Sequence, residues 1–342
     1  MFKVTINRLI RKQRYFCKNE RNSNNIINYK NPINIHLILD GGALNGLFEL
    51  GSLLYLKELE RNNYINVSKI SATSIGSLLG YLYLTDDLDK GIHIFNKLKH
   101  LLNFSQKTQT KREKYYFYEL LKTELLHTET DKQRKINNDI FKDKLYISFF
   151  DVEKREFSVK SEYINKKDII ETIAYSTYVP YVCGNRLFFK DNYADGVFPH
   201  LFDKYEISSR DMVMYINISS VKYLPNLSGF FSKNDGKISR IIQGIVETHK
   251  YFKFNGENTD FCINMNHQSS WLAFISFTYL SSMQNIIKHI VFKNIFITMS
   301  YFSHIDEFIN NMPHISLAYN VFNEFTSDIR TWLFKKYLSK FS

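Results

Sequence analysis

The chain has 342 residues, enough for one large α/β domain with insertions or for two domains. A hydrophobic fraction of 44% and a charged fraction of 23% are those of a globular protein, and 29 Phe with 23 Tyr supply a large core and leave aromatics for a surface that meets lipid. Three widely spaced cysteines, Cys17, Cys183 and Cys262, exclude a disulfide framework and point to a reducing, intracellular compartment.

The net charge of +11 favours a polyanionic partner. No zinc-finger spacing or aromatic–glycine RNA-binding signature accompanies it. An anionic membrane surface is therefore expected, with peripheral association, and nucleic acid is not. The Asn-, Lys-, Ile- and Tyr-rich composition points to an AT-rich coding genome, viral or bacterial.

Residues 1–31 read as a basic, flexible extension, too broken by Lys3, Asn7 and Arg8 to be a secretory signal. Two readings stay open for it: a solvated tail, or an amphipathic segment lying on a membrane. Ile33 to Leu39 reads as a buried strand, followed by a glycine-rich turn at Asp40 to Gly46 and a helix over Leu47 to Arg61. Val67 to Ala72 reads as a second strand, Ser74 as the turn after it, and a helix begins near Gly76. This βαβα start implies a parallel sheet. Residues 86–142 are helical in pattern and read as an insertion. Strands are expected at Leu145 to Asp151 and Phe157 to Ser161, a helix at Lys167 to Ser176, and a strand at Met212 to Ile218. Further on, a helix is expected near Ile238 to Phe252 and an apolar run near Ile290 to Met299. The uncharged stretch Gln268 to Ile287 reads as core or an interfacial segment, because its serines suit a membrane span poorly. The organisation expected is thus an extension (1–31), a catalytic core (32–220), and a region packing on or completing it (221–342).

Three segments carry chemistry. Ala72-Thr73-Ser74-Ile75-Gly76 places a serine between small residues on a strand-to-helix turn, as a nucleophile elbow requires, although a serine helix cap reads the same way. Asp40-Gly41-Gly42-Ala43-Leu44-Asn45-Gly46 lacks the Gly-Lys of a P-loop and the spacing of a dinucleotide fingerprint. An oxyanion hole built from its N–H groups remains. Asp195-Gly196 is by itself a common turn.

Taken together and in this order, the three segments resemble the patatin-like phospholipase family, over about residues 33–220. Ala174-Tyr175-Ser176-Thr177-Tyr178-Val179-Pro180 is similar to the small-residue, serine and proline segment ahead of that family's Asp-Gly pair. The resemblance implies a three-layer α/β/α sandwich with a mostly parallel sheet. It also implies hydrolysis of phospholipid or other lipid esters by a Ser74–Asp195 dyad, with Gly41, Gly42 and Ala43 as oxyanion hole. Ala72, Gly76, Gly46 and Gly196 would support the elbow and loops. No metal or organic cofactor is expected. Three positions depart from the family pattern: Ala43 and Ala72 stand where glycine is usual, and Asn45 where Arg or Lys is usual. Two alternatives stand beside this reading: a lipid- or membrane-binding protein with weak catalysis, and a Ser-His-Asp esterase using His289, His304 or His314.

Overall fold

The computed structural model describes residues 2–19, 32–42, 45–107, 116–126, 138–154, 156–178, 183, 188–190, 192–196, 198–202, 207–208, 211–218, 237–254, 256 and 259–265. The chain enters through helix α1 (Phe2–Asn19) and then builds β1 (Ile33–Leu39), α2 (Gly46–Arg61), β2 (Ile65–Thr73) and α3 (Ile75–Leu84). Helices α4 (Leu88–Lys107) and α5 (Tyr116–Leu126) follow, then β3 (Leu145–Asp151), β4 (Glu156–Lys160), α6 (Lys166–Thr177), β5 (Tyr193–Asp195), β6 (Met212–Ile216), α7 (Lys237–Lys253) and β7 (Cys262–Asn264).

The strands form one seven-stranded mixed sheet in the order β4-β3-β2-β1-β6-β7, with β5 also pairing β3. The four central strands run parallel, and β4, β5 and β7 join antiparallel. With helices flanking this sheet, the fold is α/β, with a sheet that is parallel at its centre. Parallel strands are buried on both faces, which is why β6 and the Leu37–Leu39 end of β1 read as apolar runs rather than alternating ones.

Alternation still sets which neighbour each side chain meets. Leu39, Ile70 and Leu145 point to the face where Gly80 of α3 packs against them. His36, Ser71 and Tyr146 point to the other face, where His200 and Phe202 cover them. Helix α7 crosses α2 with almost no gap. A Cβ on Gly51 would fall 2.1 Å from Ile241 O, and one on Gly244 1.9 Å from Phe48 O, so only glycine fits at either position. Helix α7 and strand β7 lie beyond residue 220, yet they join the same core and sheet.

Residues 2–19 differ from the expected tail. They form a helix whose Ile6 and Ile10 are 2% and 4% exposed within the main core. Burying two such side chains contributes about 1.5–3 kcal/mol each, while Lys3, Arg8 and Arg11 stay exposed. The sequence reading also passed over β5 and β7, each only three residues long. The expected apolar runs at 268–287 and 290–299 lie outside the described residues. No helix among the described residues is long and apolar enough to cross a membrane.

Candidate active site

The parallel strands β1 and β2 end at the same edge of the sheet, with Leu39 opposite Ala72. Their following turns, Asp40–Gly42 and Ser74, are therefore neighbours. This is the edge where open α/β sheets bind ligands.

Ser74 joins β2 to α3 with φ 50° and ψ −129°. A side-chain-bearing residue held there costs about 1–3 kcal/mol, and such strain persists only when the surroundings fix it. Several contacts do so. The Ser74 N–H donates to Ser176 Oγ at 2.9 Å, and the Ser176 hydroxyl donates to Ser148 O at 2.7 Å. On the helical side, the Ser77 hydroxyl and N–H both donate to Ser74 O, at 2.6 and 3.0 Å. Gly76 lets α3 start directly against β1, since a Cβ there would sit 2.8 Å from Asp40 O. Ala72 is fully buried between Leu39 and Ile147, and the elbow forms with its methyl group in place.

Asp195 comes from β5, paired with Phe149 at the end of β3. Its Oδ2 accepts the Ser74 hydroxyl at 2.6 Å, and its N–H donates to Tyr178 O at 3.1 Å. A Cβ on the next residue, Gly196, would lie 2.3 Å from Ser148 O, so the Asp-Gly pair presses flat onto β3. The two residues, 121 positions apart in sequence, thus meet at hydrogen-bonding distance.

The glycine loop closes the other side. Gly41 lies against the serine, and a Cβ on it would meet Ser74 Cβ at 3.0 Å. Its N–H donates to Asp40 Oδ1 at 2.8 Å, so in this conformation it is turned to its own neighbour. Gly42 rests on Ile218, and its carbonyl accepts the Asn45 N–H at 2.9 Å. Gly46 begins α2 in contact range of Phe95 and Ile75. Ala43 lies outside the described residues.

Just after this loop, in the first turn of α2, Glu49 is completely buried and neither carboxyl oxygen has a side-chain partner among the described residues. Burial, and after it the nearby Asp40 carboxylate, push its pKa well above the ordinary carboxylate value. The Asp40 main-chain N–H pulls more weakly the other way. Glu49 therefore holds its proton far above the usual range. The hydroxyls of Thr73 and Ser148, opposite one another on β2 and β3, are likewise buried without partners among the described residues.

Three of the described histidines are engaged elsewhere. His36 faces Asp211 at 3.1 Å, His249 faces the Tyr55 hydroxyl at 2.9 Å, and His200 stacks on Tyr146. His289, His304 and His314 lie outside the described residues. Among the described residues no group of three or more His, Cys, Asp or Glu side chains could hold a metal ion.

Sequence reasoning singled out the stretch around Ser176 but gave that residue no task, and it passed over Ser148 and Glu49. A signal existed for Ser176. Ile169, Ile173 and Ser176 follow at helical spacing on the buried face of α6, so the serine is a polar residue where an apolar one is due. Compared with known families, residues 37–200 match the family model described as patatin-like phospholipase. No curated protein matches the chain.

Proposed function

We propose that this chain, which carries a patatin-like phospholipase domain over residues 37–200, is a serine hydrolase that cleaves carboxylic esters of membrane lipids through Ser74 and Asp195. The observation that carries this reading is the 2.6 Å hydrogen bond from the Ser74 hydroxyl to Asp195 on a strained strand-to-helix turn.

The reaction follows from that geometry. Ser74 Oγ attacks the ester carbonyl while its proton passes to Asp195 Oδ2. The tetrahedral oxyanion is held by N–H groups of the glycine loop, Gly41, Gly42 and Ala43, and by the start of α3. The C–O bond breaks, and the leaving alcohol takes the proton from Asp195. Water, activated by the same aspartate, then releases the fatty acid from the acyl-serine. Within the loop, the Gly42 N–H has no protein partner among the described residues, whereas Gly41 must first let go of Asp40.

Contact with an anionic membrane fits the outer helices. On α1, Lys3, Val4, Arg8 and Arg11 are exposed, and no acidic residue lies between Phe2 and Arg11. On α7, Ile238, Ile242 and Val246 are exposed along one face. Reversing Arg8 and Arg11 to Glu should weaken binding to phosphatidylserine vesicles about tenfold or more, since each basic residue near such a surface contributes about 1 kcal/mol. Co-sedimentation unchanged by the reversal would remove α1 from the membrane contact.

Fatty-acid release from phospholipid vesicles and from a short-chain ester tests the hydrolase reading, with wild type beside Ser74→Ala and Asp195→Asn. Release by wild type no faster than by the two variants, on every ester, would defeat it. A second reading, a lipid-binding protein that turns over slowly, is favoured by one observation: Asp40 holds the Gly41 N–H that the oxyanion needs.

A further inference from the structure

One buried side chain ties both halves of the dyad to the same point of the sheet. Ser176, fully buried in the last turn of α6, accepts the Ser74 N–H and donates to Ser148 O. The roles of this hydroxyl are fixed, because a carbonyl can only accept and an N–H can only donate. The aspartate refers to the same residues. Asp195 pairs with Phe149, and Gly196 is pressed onto Ser148 O.

We infer that Ser176 is a positioning residue that sets the Ser74–Asp195 separation by bridging the nucleophile's own N–H to the β3 carbonyl on which the aspartate strand rests. The inference builds on the dyad reading. It assigns no contact with substrate to Ser176. Its effect passes through the backbone of Ser74, which is held at positive φ and whose N–H donates to Ser176 of α6. A consequence is that the Ser74 N–H is committed and cannot serve the oxyanion, which leaves that task to the glycine loop and the start of α3. Without the bridge the strained turn loses a restraint, and a misplacement of about 1 Å at a reacting atom costs on the order of 10²-fold in rate.

Two variants isolate the hydroxyl. Ser176→Thr and Ser176→Val differ only in whether a hydroxyl or a methyl stands at that place, so damage from added bulk is common to both. On a soluble short-chain ester, Ser176→Val should show kcat lower than Ser176→Thr by on the order of 10–10²-fold, with KM within about twofold. Labelling of Ser74 by a fluorophosphonate should slow in step, and the Ser74 amide hydrogen should exchange faster. Equal kcat and equal amide exchange in the two variants would overturn the inference. Should neither fold, the amide exchange of Ser176→Ala against wild type decides, and unchanged protection overturns it. A wild type inert toward esters and fluorophosphonate defeats the hydrolase reading instead, and the exchange comparison still decides whether Ser176 places Ser74.

Discussion

Ser74 is met from one side by α6 and β5 and from the other by the loop Asp40–Gly46, and different forces hold the two sides. On the dyad side, hydrogen bonds from Ser74, Ser176 and Asp195 run into the sheet and its neighbours. On the loop side, much of the placement comes from missing side chains: Gly41 against Ser74, Gly42 against Ile218, Gly46 against Phe95 and Ile75. A hydrogen-bonded arrangement is damaged by removing a group. A steric one is damaged by adding a group. The same site should therefore fail in two distinguishable ways.

The largest effect is expected where groups are removed. Ser74→Ala and Asp195→Asn should each lower kcat on the order of 10⁴-fold or more, as for residues that act as one unit. A double variant should be hardly worse than either single one, and a clear sum of the two effects in fatty-acid release would separate the residues into independent roles. Next come the added groups. Gly41→Ala brings a Cβ to 3.0 Å from Ser74 Cβ, a gap that a small shift of the loop can absorb. It should lower kcat on the order of 10–10²-fold and leave the melting temperature nearly unchanged. Gly196→Ala sets a Cβ 2.3 Å from a sheet carbonyl that has nowhere to move. It should destabilise by about 1–3 kcal/mol and lower the melting temperature by several degrees. Calorimetry beside the rate assay separates the pair, and Gly41→Ala melting as early as Gly196→Ala would erase the contrast.

Strong local patterns were legible before the structure. Helix α2 was expected at Leu47 to Arg61 and runs Gly46–Arg61, and β3 was expected with the boundaries it has. In both, apolar periodicity and turn residues agree. The meeting of Ser74 with Asp195 was readable only because three weak motifs occur in order, since neither residue carries a local mark of its partner. Helix α1 was misread because its basic residues dominate the composition, while the decisive fact, Ile6 and Ile10 at i, i+4 docking into the core, is tertiary. Strand β5 escaped notice because three residues show no periodicity, and its pairing with β3 is what brings Asp195 into place. The hold of Asp40 on the Gly41 N–H is a contact between the carboxylate and the next main-chain N–H, and nothing in Asp-Gly-Gly specifies it.

Glu49 offers the finest test of the loop side, because it stands in the turn of helix that follows that loop, close to Asp40, and is fully buried. Its folded pKa lies well above the ordinary 4.5, with burial as the main cause and Asp40 as the second. A carboxyl that titrates higher in the folded state binds its proton more tightly there. Its penalty is absent below the unfolded value, grows as pH rises above about 4.5, and levels off once the folded value is passed. Glu49→Gln keeps the shape of the neutral acid and removes the charge the unfolded chain gains. The variant should therefore melt together with wild type near pH 4 and above it at pH 7, the gap opening as pH rises above about 4.5. A gap constant across that range would mean that Glu49 titrates normally, and one of opposite sign would mean that its carboxylate is a stabilising partner of the loop.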